Sequence, residues 1–407
     1  MLQIFKMAFR DLGRNRRRSF FSALAVAIGL ALLILMASVI AGEMGGAIES
    51  AIRLSSGHIQ IRAATYDENK SSLKWEDLVA NPDQIASQIA AYSQVKAATP
   101  RLYASGFLSS GSQSAGARIT GIDPSSPASD PYREGVIGGS YLSPDDRDAV
   151  LIGQPMAAKL NLKVGDNVSL SLNTADGTVQ EQTFTVKGIY TTNTYGFDSV
   201  TVFLPLAKAQ AMTKTENHAS TIFILLQDTS QTDAVVSAIK KVPANLQIKT
   251  WKELNALFVD YEALAQSYIG IFYIIILAIT ASVIINTLIM SVYERTREIG
   301  ILSAVGMRGG QIMSLFLAES FLLAVGGIIM GLVLGVIGVY LFNINGFYIG
   351  NMGLTGILVA NTIHAKLTLN DTISVTIMTF VVTILSGLYP AFTASRMEPV
   401  TALRAEK

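Results

Sequence analysis

Hydrophobic positions along this chain fall into four long runs and one extended region of alternation. The runs occupy residues 19–42, 263–293, a stretch that begins after Glu319, and 372–395. Each supplies the ~20 mainly apolar residues that a helix needs to cross a bilayer. None of the four apolar runs contains Lys, Arg, Asp or Glu. The predicted spans are 19–42, 263–293, 315–342 and 372–395, with a long polar segment between the first two and short connections elsewhere. A small bundle with one large domain on one side fits work at a membrane surface better than a pore.

The polar segment, 43–262, changes period several times. Residues 43–55 keep apolar positions at Met44, Ala47, Ile48, Ala51 and Ile52, so the first helix should continue beyond the bilayer. His58-Ile-Gln-Ile-Arg62 alternates as a strand does. Asn81-Pro82 predicts a helix start, with Asn81 as N-cap and Ile85, Ile89 and Tyr92 on one face, before a strand over 95–108. The far end repeats this order, with a strand over 221–226, a helix over 233–241 and a strand over 246–250. A helix from Trp251, with Leu254, Leu257, Phe258 and Tyr261 on one side, should lead into the second span. Residues 116–205 read as a strand-rich insert, with a hairpin turn at Asp176-Gly177 and another turn at Val164-Gly165-Asp166. The predicted fold is an α-helical membrane protein of four transmembrane helices plus a large α+β domain. That domain comprises a core (43–115 and 206–262) and a β-rich insert (116–205).

Charge orients this arrangement. Lys6, Arg10, Arg14, Arg16, Arg17 and Arg18 precede the first span, opposed only by Asp11. Basic flanks stay in the cytoplasm, which puts segments 1–18, 294–314 and 396–407 inside and the domain 43–262 and the loop 343–371 outside. The inner segments carry Arg295, Arg297, Arg308, Arg396, Arg404 and Lys407, while the outer loop holds only Lys366. The first run is too long for the apolar part of a signal peptide and reads as a retained anchor. Charged residues are 15% of the chain and the net charge is +1, so nothing here calls for nucleic acid. Cysteine is absent, which excludes disulfides, thiolate metal sites and lipidated thiols.

Catalytic signatures are missing. The pair Gly-Lys of a phosphate-binding loop occurs nowhere, nor does Gly-x-Ser-x-Gly or His-Glu-x-x-His. His58, His218 and His364 are scattered, and His58 on its strand reads as a packing or surface residue. Asp145, Asp146 and Asp148 follow Pro144 in a turn and lack the further ligands of a calcium loop. With no charge in the apolar runs, an ion-driven transport mechanism is disfavoured. The expectation is a non-catalytic chain with no cofactor or metal of its own.

Two features invite a functional reading. Residues 294–307, between spans two and three, place Glu294 and Glu298 four apart, with Ile299, Leu302 and Val305 on an apolar edge and Gly306 as a breaker. On the residues alone, docking to a partner and an ordinary solvated turn are equally good readings. Gly327, Gly331 and Gly335 form a ridge on the third span, open either to packing within the chain or to a seam between subunits.

The stretch Glu294-Arg-Thr-Arg-Glu-Ile-Gly-Ile-Leu-Ser-Ala-Val-Gly306 resembles the corresponding segment of the MacB/FtsX-type ABC transporter permeases. Tyr389-Pro-Ala-Phe-Thr-Ala-Ser-Arg396 and the residues through Arg404 are similar to that family's closing motif, and Ala8 to Arg18 to its basic lead-in. Gly57-His-Ile-Gln-Ile61 and the turn at Val164-Gly165-Asp166 resemble its lipoprotein-releasing (LolC/LolE) branch. MacB carries an ATPase domain ahead of its first span, which is not found here. The resemblance therefore implies a separate ABC ATPase subunit that binds ATP and Mg, and a second permease subunit, identical or not. It also implies a MacB-like periplasmic core domain, a periplasmic adaptor or lipoprotein acceptor as partner, membrane lipids around the spans, and a bacterial inner membrane. Glu294, Arg295, Arg297, Glu298, Ile299, Gly300, Gly306 and Arg396 become the expected ATPase-coupling residues. The implied function is to turn ATP hydrolysis into movement outside the membrane, extracting or exporting a lipoprotein, lipid, peptide or other amphiphile. The alternative within the family is FtsX-like signalling to an outside partner without transport.

Overall fold

The computed structural model describes residues 2–14, 16–67, 73–239, 245–349 and 360–398. The side chains of Leu257, Phe258 and Tyr261, the end of the predicted helix at Lys241, residues 350–359 of the loop 343–371, and Arg404 and Lys407 lie outside the described residues. The chain divides into two units. One comprises Met1–Met44, Glu262–Phe347 and Ile363–Lys407, and the other Gly45–Tyr261 and Tyr348–Thr362.

The first unit is helical. An amphipathic helix, Leu2–Arg14, precedes a helix over Arg16–Ala51. The others are Ala256–Glu294, the short Thr296–Ala304, Gly309–Asn345 and Leu369–Ser395. Four of the described helices are long and apolar enough to cross a membrane. All extend past the apolar runs seen in sequence. In hydrocarbon only a helix satisfies its own backbone groups, and nothing in the polar flanks stops it at the boundary. Glu319 thus lies within the third helix, not ahead of it, and is 4% exposed. Hydroxyls in the spans donate to their own helix: Thr280 to Ile276 O, Thr379 to Val375 O, Thr383 to Thr379 O.

The glycine ridge packs against the first span of the same chain. A Cβ on Gly327 would meet Val26 Cβ at 2.6 Å, one on Gly331 would meet Leu30 Cβ at 3.0 Å, and one on Gly335 would meet Ile34 Cδ1 at 3.0 Å. Gly338 faces open space. The N-terminal helix, read from sequence only as a basic tail, packs Ala8 against Leu315 and Ala318 and sets Phe5 edge-on to Phe321.

The second unit is built on one sheet. Its strands are β1 (Ile59–Ala63), β2 (Val79–Ala80), β3 (Val95–Ser110), β4 (Gln113–Ile122), β5 (Val136–Gly139), β6 (Ala149–Gly153), β7 (Asn167–Asn173), β8 (Val179–Tyr190), β9 (Thr201–Pro205), β10 (His218–Ala219), β11 (Thr221–Leu226) and β12 (Leu246–Thr250). The main order is β12-β1-β11-β3-β4-β9-β6-β8-β5, with β7 bridging β3 and β8; β2 and β10 pair separately. The first four strands, with helices Pro82–Ala90 and Thr232–Ile239, make the split β-α-β arrangement of a ferredoxin-like core. Ile222 and Ile224 of β11 meet those helices, while Phe223 and Leu225 face Ile52 on the other side. Burial on both faces explains why β11 reads as an unbroken apolar run.

The insert is not a separate module. The first half of β3 pairs with β11 and the second half with β4 and β7, so a single strand belongs to both parts. The turns at Gly165 (φ +92°) and Gly177 (φ +83°) form as expected. Three local readings change. Asn81 takes a left-handed conformation (φ 48°) with no side-chain cap bond, and its Oδ1 instead accepts from Asn217 Nδ2 at 2.6 Å. The helix from Trp251 stops at Leu254, held by a Thr250–Glu253 capping box, and a new helix begins at Ala256. The first helix ends in a π-helical turn, Ile52–Ser56.

The glycine seam yields a test. Gly331→Leu should cost about 1–3 kcal/mol through overpacking and lower the thermal midpoint of the purified chain in detergent. Gly338→Leu should leave the midpoint near wild type.

Candidate functional site

The segment after the second span breaks at Arg295, whose φ of −104° and ψ of 12° leave the helical region before Thr296–Ala304 begins. It closes at Gly306 with φ +100°, a conformation that strains any residue with a Cβ. Between these corners the predicted residues divide into an inward and an outward set.

Arg295 points inward. It is 5% exposed. Its Nη1 lies 3.1 Å from Asp11 Oδ2 and its Nη2 donates to Asp11 O at 3.1 Å. Glu319 lines the same cavity of about 280 Å³, whose wall also includes Met7, Ile301 and Leu315. A buried cation requires such partners because desolvation outweighs a single distant charge. Ile299 and Gly300 are buried as well. Ile299 packs with Val292, Ile312, Phe316, Ala391 and Ala394, so the structure brings the central motif and the C-terminal motif into one cluster.

Glu294, Arg297, Glu298 and Gly306 face outward. Glu294 pairs with Arg18 at 2.5 Å, and Glu298 pairs with Arg14. Arg396 is exposed and lies over the Phe392 ring at 4.4 Å. The apolar edge read from sequence splits: Ile299 is buried, Leu302 half-buried, and Val305 is 84% exposed beside Ile301 at 48%. Val305 and Ile301 stand out only once Ile299 is seen to face inward.

The outer unit holds a second joint. Arg101, at 1% exposure, donates from Nη1 to Leu54 O (3.1 Å) and Tyr132 Oη (3.2 Å), and from Nη2 to Ala128 O (3.0 Å). Its guanidinium lies 3.4 Å over the Phe223 ring. Tyr132 Oη donates to Leu54 O at 2.7 Å, and burial pushes its phenol up to about 12. The charge is balanced by carbonyl dipoles and aromatic faces, with no carboxylate partner among the described residues. Leu54 sits in the π-helical turn, so this buried cation holds the end of the long helix in the sheet. No spacing in the sequence announces it.

Asp146, Asp148 and His58 make bonds within the fold. Asp146 pairs with Lys187 at 2.6 Å, and Asp148 accepts from Gln182 at 2.9 Å. His58 Nδ1 accepts from Leu226 N at 3.1 Å, and burial lowers its pKa. That bond needs the neutral ring.

Comparison with known proteins places the chain. A family model described as the MacB-like periplasmic core domain matches residues 19–242, and one described as the FtsX-like permease C-terminal matches residues 270–399. The chain belongs to the MacB/FtsX family of ABC transporter permeases. It is 25% identical to the lipoprotein-releasing system transmembrane protein LolC of Haemophilus influenzae, over 63% of this chain and 64% of that one. It is 22% identical to LolE of the same organism, over 94% and 93% of the two chains. It is 25% identical to the macrolide export ATP-binding/permease protein MacB of Hyphomonas neptunium, over 98% of this chain and 60% of that one. The chain therefore spans less than two thirds of the length of some of these relatives.

The Arg101 joint can be tested directly. Arg101→Met removes the donor to Ala128 O, at a cost of about 1–3 kcal/mol for a buried orphan carbonyl, while Tyr132 still serves Leu54 O. Hydrogen exchange should speed up at the amides of Ile52–Ser56. Unchanged exchange there would mean that Tyr132 and packing hold the turn without Arg101.

Proposed function

We propose that this chain is the membrane subunit of an ABC complex in which a separate ATPase, binding ATP and Mg, drives movement of the outer domain. The observation that carries this reading is the pair of long helices that lead away from the segment around 294–307. One runs unbroken from Glu294 back to Ala256, and the other from Arg16 to Ala51, where Arg101 and Tyr132 grip its continuation. A helix transmits displacement along its length because its hydrogen bonds are internal. A push at the turn would therefore arrive in the outer unit through covalent structure. The cargo class that fits is an amphiphile (a lipoprotein, lipid or peptide) taken up outside the bundle. FtsX-like control of an outside partner uses the same coupling, and an assay for bound amphiphile separates the two.

In this reading the ATPase meets the exposed stripe Glu294, Arg297, Glu298, Ile301 and Val305, and Arg396 flanks it. Arg295, Ile299 and Gly300 shape the turn from within. A second permease subunit completes the complex, with both termini of this chain in the cytoplasm.

Two outcomes test the proposal. A cysteine at Ser230 should react with an impermeant thiol reagent in intact cells, and one at Ser303 should not; the reverse pattern overturns the orientation. Val305→Asp should leave thermal stability near wild type yet weaken association with the ATPase by tenfold or more, since it sets a charge in an apolar contact. Glu298→Lys should also lose stimulated turnover. If Arg14→Glu restores turnover to Glu298→Lys, the carboxylate acts within the chain and not at the ATPase.

A further inference from the structure

We propose that the basic residues Arg14, Arg16, Arg17 and Arg18, at the end of the N-terminal helix and the start of the first span, bind the headgroup of an acidic phospholipid, in the leaflet at that end of the spans. An open recess of about 480 Å³ is lined by Gly13, Arg14, Arg16, Arg17, Arg18 and Glu294. Four arginines thus line one open recess. Two have carboxylate partners, Arg14 with Glu298 and Arg18 with Glu294. The nearby Asp11 is taken by Arg295. Arg16 and Arg17 have no carboxylate partner among the described residues, and Arg16 Nε donates to Gly13 O at 3.2 Å. Two positive charges are left over around a recess large enough for a phosphate group.

Guanidinium matches phosphate oxygens through paired, charge-assisted bonds. A free anion would satisfy the charge, but the flanks of the recess favour a lipid. Phe9, Phe20 and Phe21 stand 72%, 53% and 64% exposed, before and after the basic turn. Exposed aromatic rings next to basic side chains at the end of a span occupy the zone where headgroup gives way to acyl chain. A basic cluster of this size just outside a span is the usual receptor for acidic lipid. Arg14 and Arg18, which line the same recess, hold Glu298 and Glu294, so a lipid held by Arg16 and Arg17 would sit one ion pair away from the outward face of the 294–307 segment.

The experiment uses the purified full-length chain in detergent, titrated with phosphatidylglycerol or phosphatidylcholine, with bound lipid counted by native mass spectrometry. Wild type should retain phosphatidylglycerol over phosphatidylcholine. Arg16→Gln/Arg17→Gln should weaken phosphatidylglycerol retention by on the order of tenfold and leave phosphatidylcholine unchanged. Arg53→Gln, which removes an exposed arginine in the outer unit, should match wild type. The single variant Arg17→Gln should show a smaller loss and replaces the double variant if that fails to fold. Equal retention of the two lipids by wild type, or unchanged retention in the Arg16 and Arg17 variants, overturns the proposal. Displacement of phosphatidylglycerol by inorganic phosphate overturns the assignment to lipid.

Discussion

The first span can lie against the third only because three glycines present no side chain to it. At Gly327, Gly331 and Gly335 even a methyl group would come within 2.6, 3.0 and 3.1 Å of the Cβ atoms of Val26, Leu30 and Ile34. In hydrocarbon no hydrophobic effect presses helices together, so close van der Waals contact does that work. The rest of the helical unit follows from this seam. The N-terminal helix reaches Leu315, Ala318 and Phe321 because the third span stands beside the first. Asp11 then falls within reach of Arg295, and Arg14 and Arg18 within reach of Glu298 and Glu294.

Charge is sorted by depth around that seam. Arg295 is desolvated, so it keeps a carboxylate and a carbonyl of Asp11 and shares a cavity with Glu319. Removing one member of such a set would leave an uncompensated charge. The pairs of Glu294 and Glu298 lie at the surface, where an ion pair is worth little and exchanges readily. That contrast separates residues that shape the turn from residues that stay on its surface. The exposed Val305 and Ile301 belong with the second set.

The outer unit uses the same physics without lipid. Arg101 has no carboxylate partner among the described residues, and it survives burial through carbonyl oxygens, a phenol and an aromatic face. The carbonyl of Leu54 belongs to a π-helical turn, whose irregular hydrogen bonding frees it for outside donors. Strand β3 does comparable work at the level of the sheet. By pairing with β11 over one half and β4 over the other, it makes core and insert a single sheet.

What could be read from residue order was what local chemistry decides. The four spans follow from apolar length, the turns at Gly165, Gly177 and Gly306 from glycine, and the strand at Ile59–Ala63 from alternation. The signature at 294–306 pointed to the family that the comparisons show. Helix ends were read less well, since a polar flank does not itself end a helix, as the third span and Glu319 demonstrate. Three matters depended on the fold: the direction Arg295 faces, the partner of the glycine ridge, and the burial of Arg101. Each rests on contacts between residues tens to hundreds of positions apart. No local period encodes them, because the free energy of a buried charge or a close helix contact is set by whichever distant atoms surround it.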